Sequence, residues 1–184
     1  MEISYRLVRS NRKNLSIEIN EQGLTIRAPK HASNNDINSF IIRNEAWITK
    51  NLEKYNKRKK EYEGVEKLTN EELQTLADKA MDYIPKRVEY YADLIGVNYG
   101  RITIRNQKTR WGSCSSKGNL NFNCLLMLTP PEVIDSIVVH ELCHRLEMNH
   151  SERFYNEVLK VYPDYYKWNK WLKDNGGKIM HRLY

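Results

Sequence analysis

The sequence predicts an α+β protein, with an N-terminal antiparallel β-sheet and a long helix followed by a helical core that carries a small antiparallel sheet. Three observations carry that prediction. Apolar residues alternate with period two in the first thirty positions, they recur at helical spacing through most of the remainder, and caps and turn residues punctuate the change from one regime to the other. Residues 1–62 are read as the sheet and its helix and residues 63–184 as the core, the two packed as one compact unit.

The first strands are Ile3, Tyr5 and Leu7, then Leu15, Ile17 and Ile19, then Leu24 and Ile26, separated by the turn residues Ser10-Asn11 and Glu21-Gln22-Gly23. Ser33 and Asp36 have the spacing of a capping box, and Ile37, Phe40, Ile41, Trp47, Ile48, Leu52 and Tyr55 follow, so one helix is predicted from about residue 34 to about residue 60. Gly64 and its charged neighbours mark a linker. Thr69 with Glu72 opens a second helix through Leu73, Leu76, Ala80, Ile84, Val88, Tyr91 and Ile95, closed by Gly96 and kinked or split at Pro85. Residues 101–105 and 120–128 are strand candidates on either side of a loop rich in glycine and serine. Thr129-Pro130-Pro131-Glu132 reads as a further capping box with proline in the first turn, opening an apolar helix through Val133, Ile134, Ile137, Val138, Leu142 and Leu146. The apolar residues from Phe154 to Leu172 give further helices that stop near Gly176-Gly177.

On that apolar helix lies His140-Glu141-Leu142-Cys143-His144, with His150 shortly after, so three of the five histidines fall in one segment. Residues four apart on a helix differ by roughly 40° of rotation, which lets His140 and His144 reach one metal ion. Zn²⁺ suits neutral imidazole ligands, and a catalytic zinc takes three protein ligands and leaves a fourth position for water. His150 is the natural third ligand; Glu147 or Glu157 is the alternative if His150 only caps the helix end. Reaching the metal from His150 requires a reversal at Met148-Asn149, which a left-handed Asn149 would supply. Glu141 stands beside the first ligand, where its carboxylate can act as general base on water activated by the metal. The gap from His144 to His150 is that of the metzincin signature, but Glu147 occupies that signature's glycine position, which argues against that class.

Composition bounds the remaining choices. A chain of 184 residues with 40% hydrophobic content is long enough for a sizeable core. No segment approaches the ~18 apolar residues of a membrane span and no signal-peptide pattern is present, so a cytoplasmic location is expected. Cys114, Cys124 and Cys143 form no even framework, which argues against disulfides. The net charge of +7 would suit a nucleotide or nucleic acid on a basic surface, but much of it lies in residues 50–60 at a helix end, where basic residues complement the macrodipole.

The loop Arg110-Trp111-Gly112-Ser113-Cys114-Ser115-Ser116-Lys117-Gly118 collects a bidentate donor, an aromatic ring and hydroxyls upstream of the histidine helix. Arg110, Trp111, Ser113 and Lys117 are therefore candidates for binding substrate or its transition state. The competing reading is a hairpin turn in which Trp111 fills the core and Arg110 pairs with an acid.

These segments, with Val138-Val139 before the motif, Met148-Asn149-His150-Ser151 and Phe154 after it, and Ser4-Tyr5-Arg6 and Arg27-Ala28-Pro29 near the start, resemble the YgjP-like family of M48-type metallohydrolases, relatives of the SprT-like and WLM proteases. The resemblance spans nearly the whole chain and implies a zincin-like core behind an N-terminal sheet, with His140, His144 and His150 as ligands of one Zn²⁺ and Glu141 as the catalytic residue. The chain departs from the family in a shortened stretch between Lys60 and Thr69 and at Tyr155, where tryptophan is usual. The expected function is a zinc-dependent metallopeptidase acting on a peptide or protein substrate. The alternatives are a zinc-dependent hydrolase of nucleotides or other phosphoanhydrides, with Arg110, Lys108 and Lys117 on the phosphates, and a nucleic-acid-associated protein whose zinc is structural, with Cys114 as fourth ligand.

Overall fold

The structure, a computed structural model, describes residues 4–20 and 23–183. Two units divide the chain, Met1–Gly64 and Val65–Tyr184.

In the first unit, β1 (Arg6–Ser10), β2 (Ser16–Asn20) and β3 (Gly23–Pro29) form one sheet in the order β1-β3-β2. The sheet is mixed, where an antiparallel one is predicted: β2 pairs antiparallel with β3, but β1 runs parallel to it, Arg6 opposite Thr25 and Ser10 opposite Pro29. The reason lies in β3. With Leu24, Thr25, Ile26 and Ala28 buried, it takes the centre, and β2, its neighbour in sequence, fills one side. Only the other edge is left for β1, whose Tyr5 and Leu7 flank stays largely exposed instead of joining the core. Ile3 and the turn residues Glu21 and Gln22 lie outside the described residues.

The capping box at Ser33 and Asp36 forms as expected, each side chain bonding the other's backbone amide. The long helix is two helices, however, α1 (Asn34–Arg43) and α2 (Glu45–Glu61), parted at Asn44. Asn44 turns its side-chain amide back onto the Phe40 carbonyl at 2.7 Å, the competition with the helical backbone that makes asparagine a poor interior residue. Ile37, Ile41 and Ile48 close this unit's core over Leu24, Ile26 and Ala28.

The second unit opens with α3 (Asn70–Ile95), whose Thr69–Glu72 capping box and left-handed Gly96 stop both form. Pro85 does not split it. Burial of Leu76, Ala80 and Ile84 before the proline and of Val88, Tyr91 and Ala92 after it holds one continuous helix against the loss of a single backbone bond. A second mixed sheet follows from β4 (Ile102–Arg105), β5 (Gly112–Cys114) and β6 (Leu120–Asn123), in the order β4-β6-β5, with β4 parallel and β5 antiparallel to β6. Again the most buried strand is central, so a small antiparallel sheet is not what forms. The strand predicted to reach residue 128 ends at Asn123, whose side chain accepts from the Leu125 amide and starts a 3-10 helix, Cys124–Leu128.

Helix α4 (Pro131–Cys143) follows, then α5 (Glu152–Val161) and α6 (Tyr165–His181). The box at Thr129 and Glu132 is not made, because the Thr129 hydroxyl donates to the Leu126 carbonyl and Pro130 takes the cap position, with Pro131 in the first turn as expected. Helix α6 passes through Gly176-Gly177. A Cβ at Gly176 would meet the Trp111 ring at 2.9 Å, so this glycine permits a close approach and does not end the helix. No helix among the described residues is long and apolar enough to cross a membrane.

Candidate active site

Helix α4 is buried on most of its circumference, through Val133, Ile134, Val138, Val139, Leu142 and Cys143. That packing fixes where its last turn points. His140 lies in this turn and His144 is the C-cap residue on the same face. Beyond it the amides of Leu146 and Glu147 both donate to the Cys143 carbonyl, and Ser151 N–H donates to the Asn149 carbonyl at 2.7 Å across His150. No described residue other than glycine has positive φ, so the reversal is an inverse γ-turn centred on His150 and not a left-handed Asn149. The Ser151 hydroxyl then accepts from Phe154 N–H and starts α5, which anchors the turn on its far side.

The three imidazoles converge. Their candidate ligand atoms all lie within 4.8 Å of one another, and the Nε2 atoms of His140 and His150 are 3.0 Å apart. Phe154, fully buried, forms the floor, its ring centroid 4.9 Å from His140, 4.6 Å from His144 and 4.9 Å from His150. Nδ1 of His140 sits 2.9 Å from the Tyr165 hydroxyl, which also accepts from Asn169 Nδ2 at 2.7 Å, and Nδ1 of His144 sits 3.2 Å from the Glu147 carbonyl. With Nδ1–H donated to those oxygens, each ring keeps a bare Nε2 for a cation. Burial, reinforced by His144 and His150, lowers His140 to about 3, and burial lowers His144, so both are neutral near pH 7, as a metal ligand must be. Three converging imidazoles, two of them oriented at Nδ1, fit a metal ion with an open position, and these three residues could hold one. Glu147, Glu157 and Cys114 are not part of the group; the Cys114 thiol donates to the Ser115 carbonyl.

Glu141 points from the neighbouring face of α4 into β5 and is only 5% exposed. A Cβ on Gly112 would fall 2.6 Å from its Oε1, so the carboxylate occupies space that only glycine leaves. Burial pushes Glu141 up to about 8, against the pull of the Arg110 charge and a hydrogen bond from the Cys114 amide. Strand β5 is the edge of its sheet. Because Trp111 O accepts from Asn123 N–H and Ser115 N–H donates to the Asn119 carbonyl, the backbone groups of Gly112 and Cys114 face the open side, and the Cys114 amide is the one Glu141 takes.

A cleft runs past Glu141 and His140 in two lobes that share Arg110 and Gly112. One, of about 300 Å³, is lined by Ser113, Cys114, Met148 and the other two histidines. The second, of about 330 Å³, lies against α6 and is lined by Trp111, Ile137, Tyr165, Asn169, Leu172 and Lys173. Arg110, Trp111 and Ser113 are thus gathered at the cleft. Trp111 combines the two readings of its role, since its ring both packs on the core beside Gly176 and walls the cleft. The Arg110 guanidinium has no hydrogen-bond or ion-pair partner among the described residues, though its charge acts on Glu141. Lys117 is exposed in the turn between β5 and β6, and neither it nor Lys108 lines either lobe.

Sequence reading misses Tyr165, Asn169 and Asn123. Asn123 is fully buried, and its Nδ2 donates to the carbonyls of Gln107 and Arg110 at 2.7 and 2.9 Å, strapping down the loop that delivers Arg110. An asparagine ending an apolar strand is a weak sign of such a strap. Nothing local marks Tyr165, which meets His140 across 25 residues.

Comparison with known proteins adds a family. The model of the YgjP-like metallopeptidase domain matches residues 13–74 and 58–175. The chain is also similar to the crystal structures of two metallopeptidase zymogens. Pyrococcus abyssi abylysin is 23% identical, with 50% of this chain and 93% of that one covered at a TM-score of 0.44. Methanocaldococcus jannaschii jannalysin is 23% identical, with 49% and 95% covered at 0.42. A search of curated proteins finds no match.

Proposed function

The chain belongs to the YgjP-like metallopeptidase family, and from that premise we propose that it is a zinc-dependent peptidase that holds one Zn²⁺ on His140, His144 and His150 and uses Glu141 as its general base. The observation that carries the proposal is the meeting of three imidazoles, His140 oriented through Tyr165 and His144 through Glu147, with a buried carboxylate on the adjoining face of the same helix. Bound there, zinc supplies a Lewis acid and an acidified water.

The rest is work for the chain's own residues. Glu141 takes the proton of the attacking water and passes it to the departing amine. Its lifted pKa makes it a stronger base than an ordinary glutamate, closer to neutrality where proton transfer in both directions is efficient. Gly112 and the Cys114 amide hold the carboxylate in place. The open backbone groups of Gly112 on β5 pair with an extended substrate chain, which fixes its carbonyl over the histidines. Arg110, Trp111 and Ser113 contact the substrate on either side. Three cysteines that form no disulfide support a cytoplasmic setting.

The test combines metal content with turnover. His140→Ala and His144→Ala should lose both zinc and cleavage of unfolded protein, whereas Glu141→Gln should keep zinc and lose cleavage. Full turnover in Glu141→Gln would overturn the mechanism.

A further inference from the structure

We propose that the lobe of the cleft between β5 and α6 is a carboxylate-binding subsite, so that the enzyme selects substrates presenting a carboxylate beside the scissile bond. The proposal rests on the peptidase reading and specifies its substrate class.

Two cations line this lobe, Arg110 from the loop before β5 and Lys173 from α6. Neither side chain has a hydrogen-bond or ion-pair partner among the described residues. Asp174, the acid next to Lys173 in sequence, is taken by Lys170 at 2.7 Å. Glu141 is the single acid in the lining, and its carboxylate is engaged by the Cys114 amide and packed on Gly112. The lobe therefore carries two positive charges against the one buried carboxyl of Glu141, between walls of Trp111, Ile137 and Leu172. Apolar walls reduce screening and strengthen attraction for an anion, while a lysine or arginine side chain placed there would be repelled. A volume of about 330 Å³ suits a single side chain or a chain end. Because the lobe shares His140 and Glu141 with the histidine side of the cleft, a group held in it sits next to the reacting carbonyl.

Two sources supply such a carboxylate, an aspartate or glutamate side chain and the C-terminus of a peptide. Calorimetric binding to the zinc-loaded Glu141→Gln protein tells them apart. The probes are hexapeptides of one sequence that differ at one central position, Glu, Gln or Lys, each with an amidated C-terminus, together with the Gln peptide bearing a free C-terminus. The expected result is that the Glu peptide, or the peptide with the free C-terminus, binds roughly tenfold tighter than the amidated Gln peptide, with Lys weakest. The preference should shrink as salt rises and vanish in Arg110→Gln/Lys173→Gln. Affinities of acid and amide peptides within twofold of each other would overturn the proposal, as would binding of none of them or a preference that survives the double substitution. Cleavage of a mixed peptide pool by the wild type is read separately, so the subsite can fail while the peptidase reading stands.

Discussion

Replacing Glu141 by glutamine should stabilise the metal-free protein, and by an amount that grows with pH. The carboxyl is 5% exposed and titrates at about 8 in the folded chain, against an ordinary value of 4.5. Between those values the folded state holds a proton that the unfolded state releases, so stability is full below pH 4.5 and is lost as pH rises through about 8. Each pKa unit corresponds to about 1.36 kcal/mol, which gives a loss of about 1 kcal/mol at pH 5, about 3 kcal/mol at pH 7 and nearly 5 kcal/mol at pH 9. Glutamine fills the same space beside Gly112, can still accept from the Cys114 amide, and does not titrate. Urea unfolding of the two chelated proteins across this range should show stabilities that coincide near pH 4 and diverge above it. A difference that stayed constant with pH, or a wild type more stable than the variant at pH 8, would refute the claim that the site holds its base at the expense of the fold.

Other perturbations separate positioning from ligation. Gly112→Ala should displace the Glu141 carboxylate, since the added Cβ falls 2.6 Å from Oε1; peptide turnover should fall at least ~100-fold while zinc content measured by mass spectrometry is unchanged. Tyr165→Phe removes the oxygen 2.9 Å from His140 Nδ1 and should weaken zinc binding roughly 10- to 100-fold in a chelator competition, with the circular dichroism spectrum retained. Phe154→Ala opens a cavity under all three histidines and should cost ~3–5 kcal/mol in denaturant unfolding, together with the ordered zinc site.

What could be read from the sequence was what is written locally. The capping boxes at Ser33 and Thr69, the Gly96 stop and the histidine spacing on α4 each involve residues within a few positions of one another, and each forms. Strand direction was not legible. β1 pairs with a strand beyond its neighbour in sequence, and burial of Leu24, Ile26 and Ala28 decides which strand is central. Gly176 was misread as a helix stop because its cause is Trp111, more than sixty positions away. Pro85 does not split α3, because packing on both sides of it outweighs one missing bond. Tyr165, Asn169 and Asn123 escaped for the same reason. Their hydrogen bonds either cross long stretches of chain or hold backbone carbonyls, which leave no pattern in composition or periodicity.

The central claim, that three histidines and Glu141 form a peptide-hydrolysing centre, is tested most directly by mass-spectrometric product analysis. Zinc-loaded wild type and Glu141→Gln would each be incubated with a mixed pool of unfolded peptides and nucleoside triphosphates. New peptide termini in the wild-type sample alone are the predicted result. Intact peptides alongside nucleoside monophosphates, or equal peptide cleavage by the variant, would contradict it.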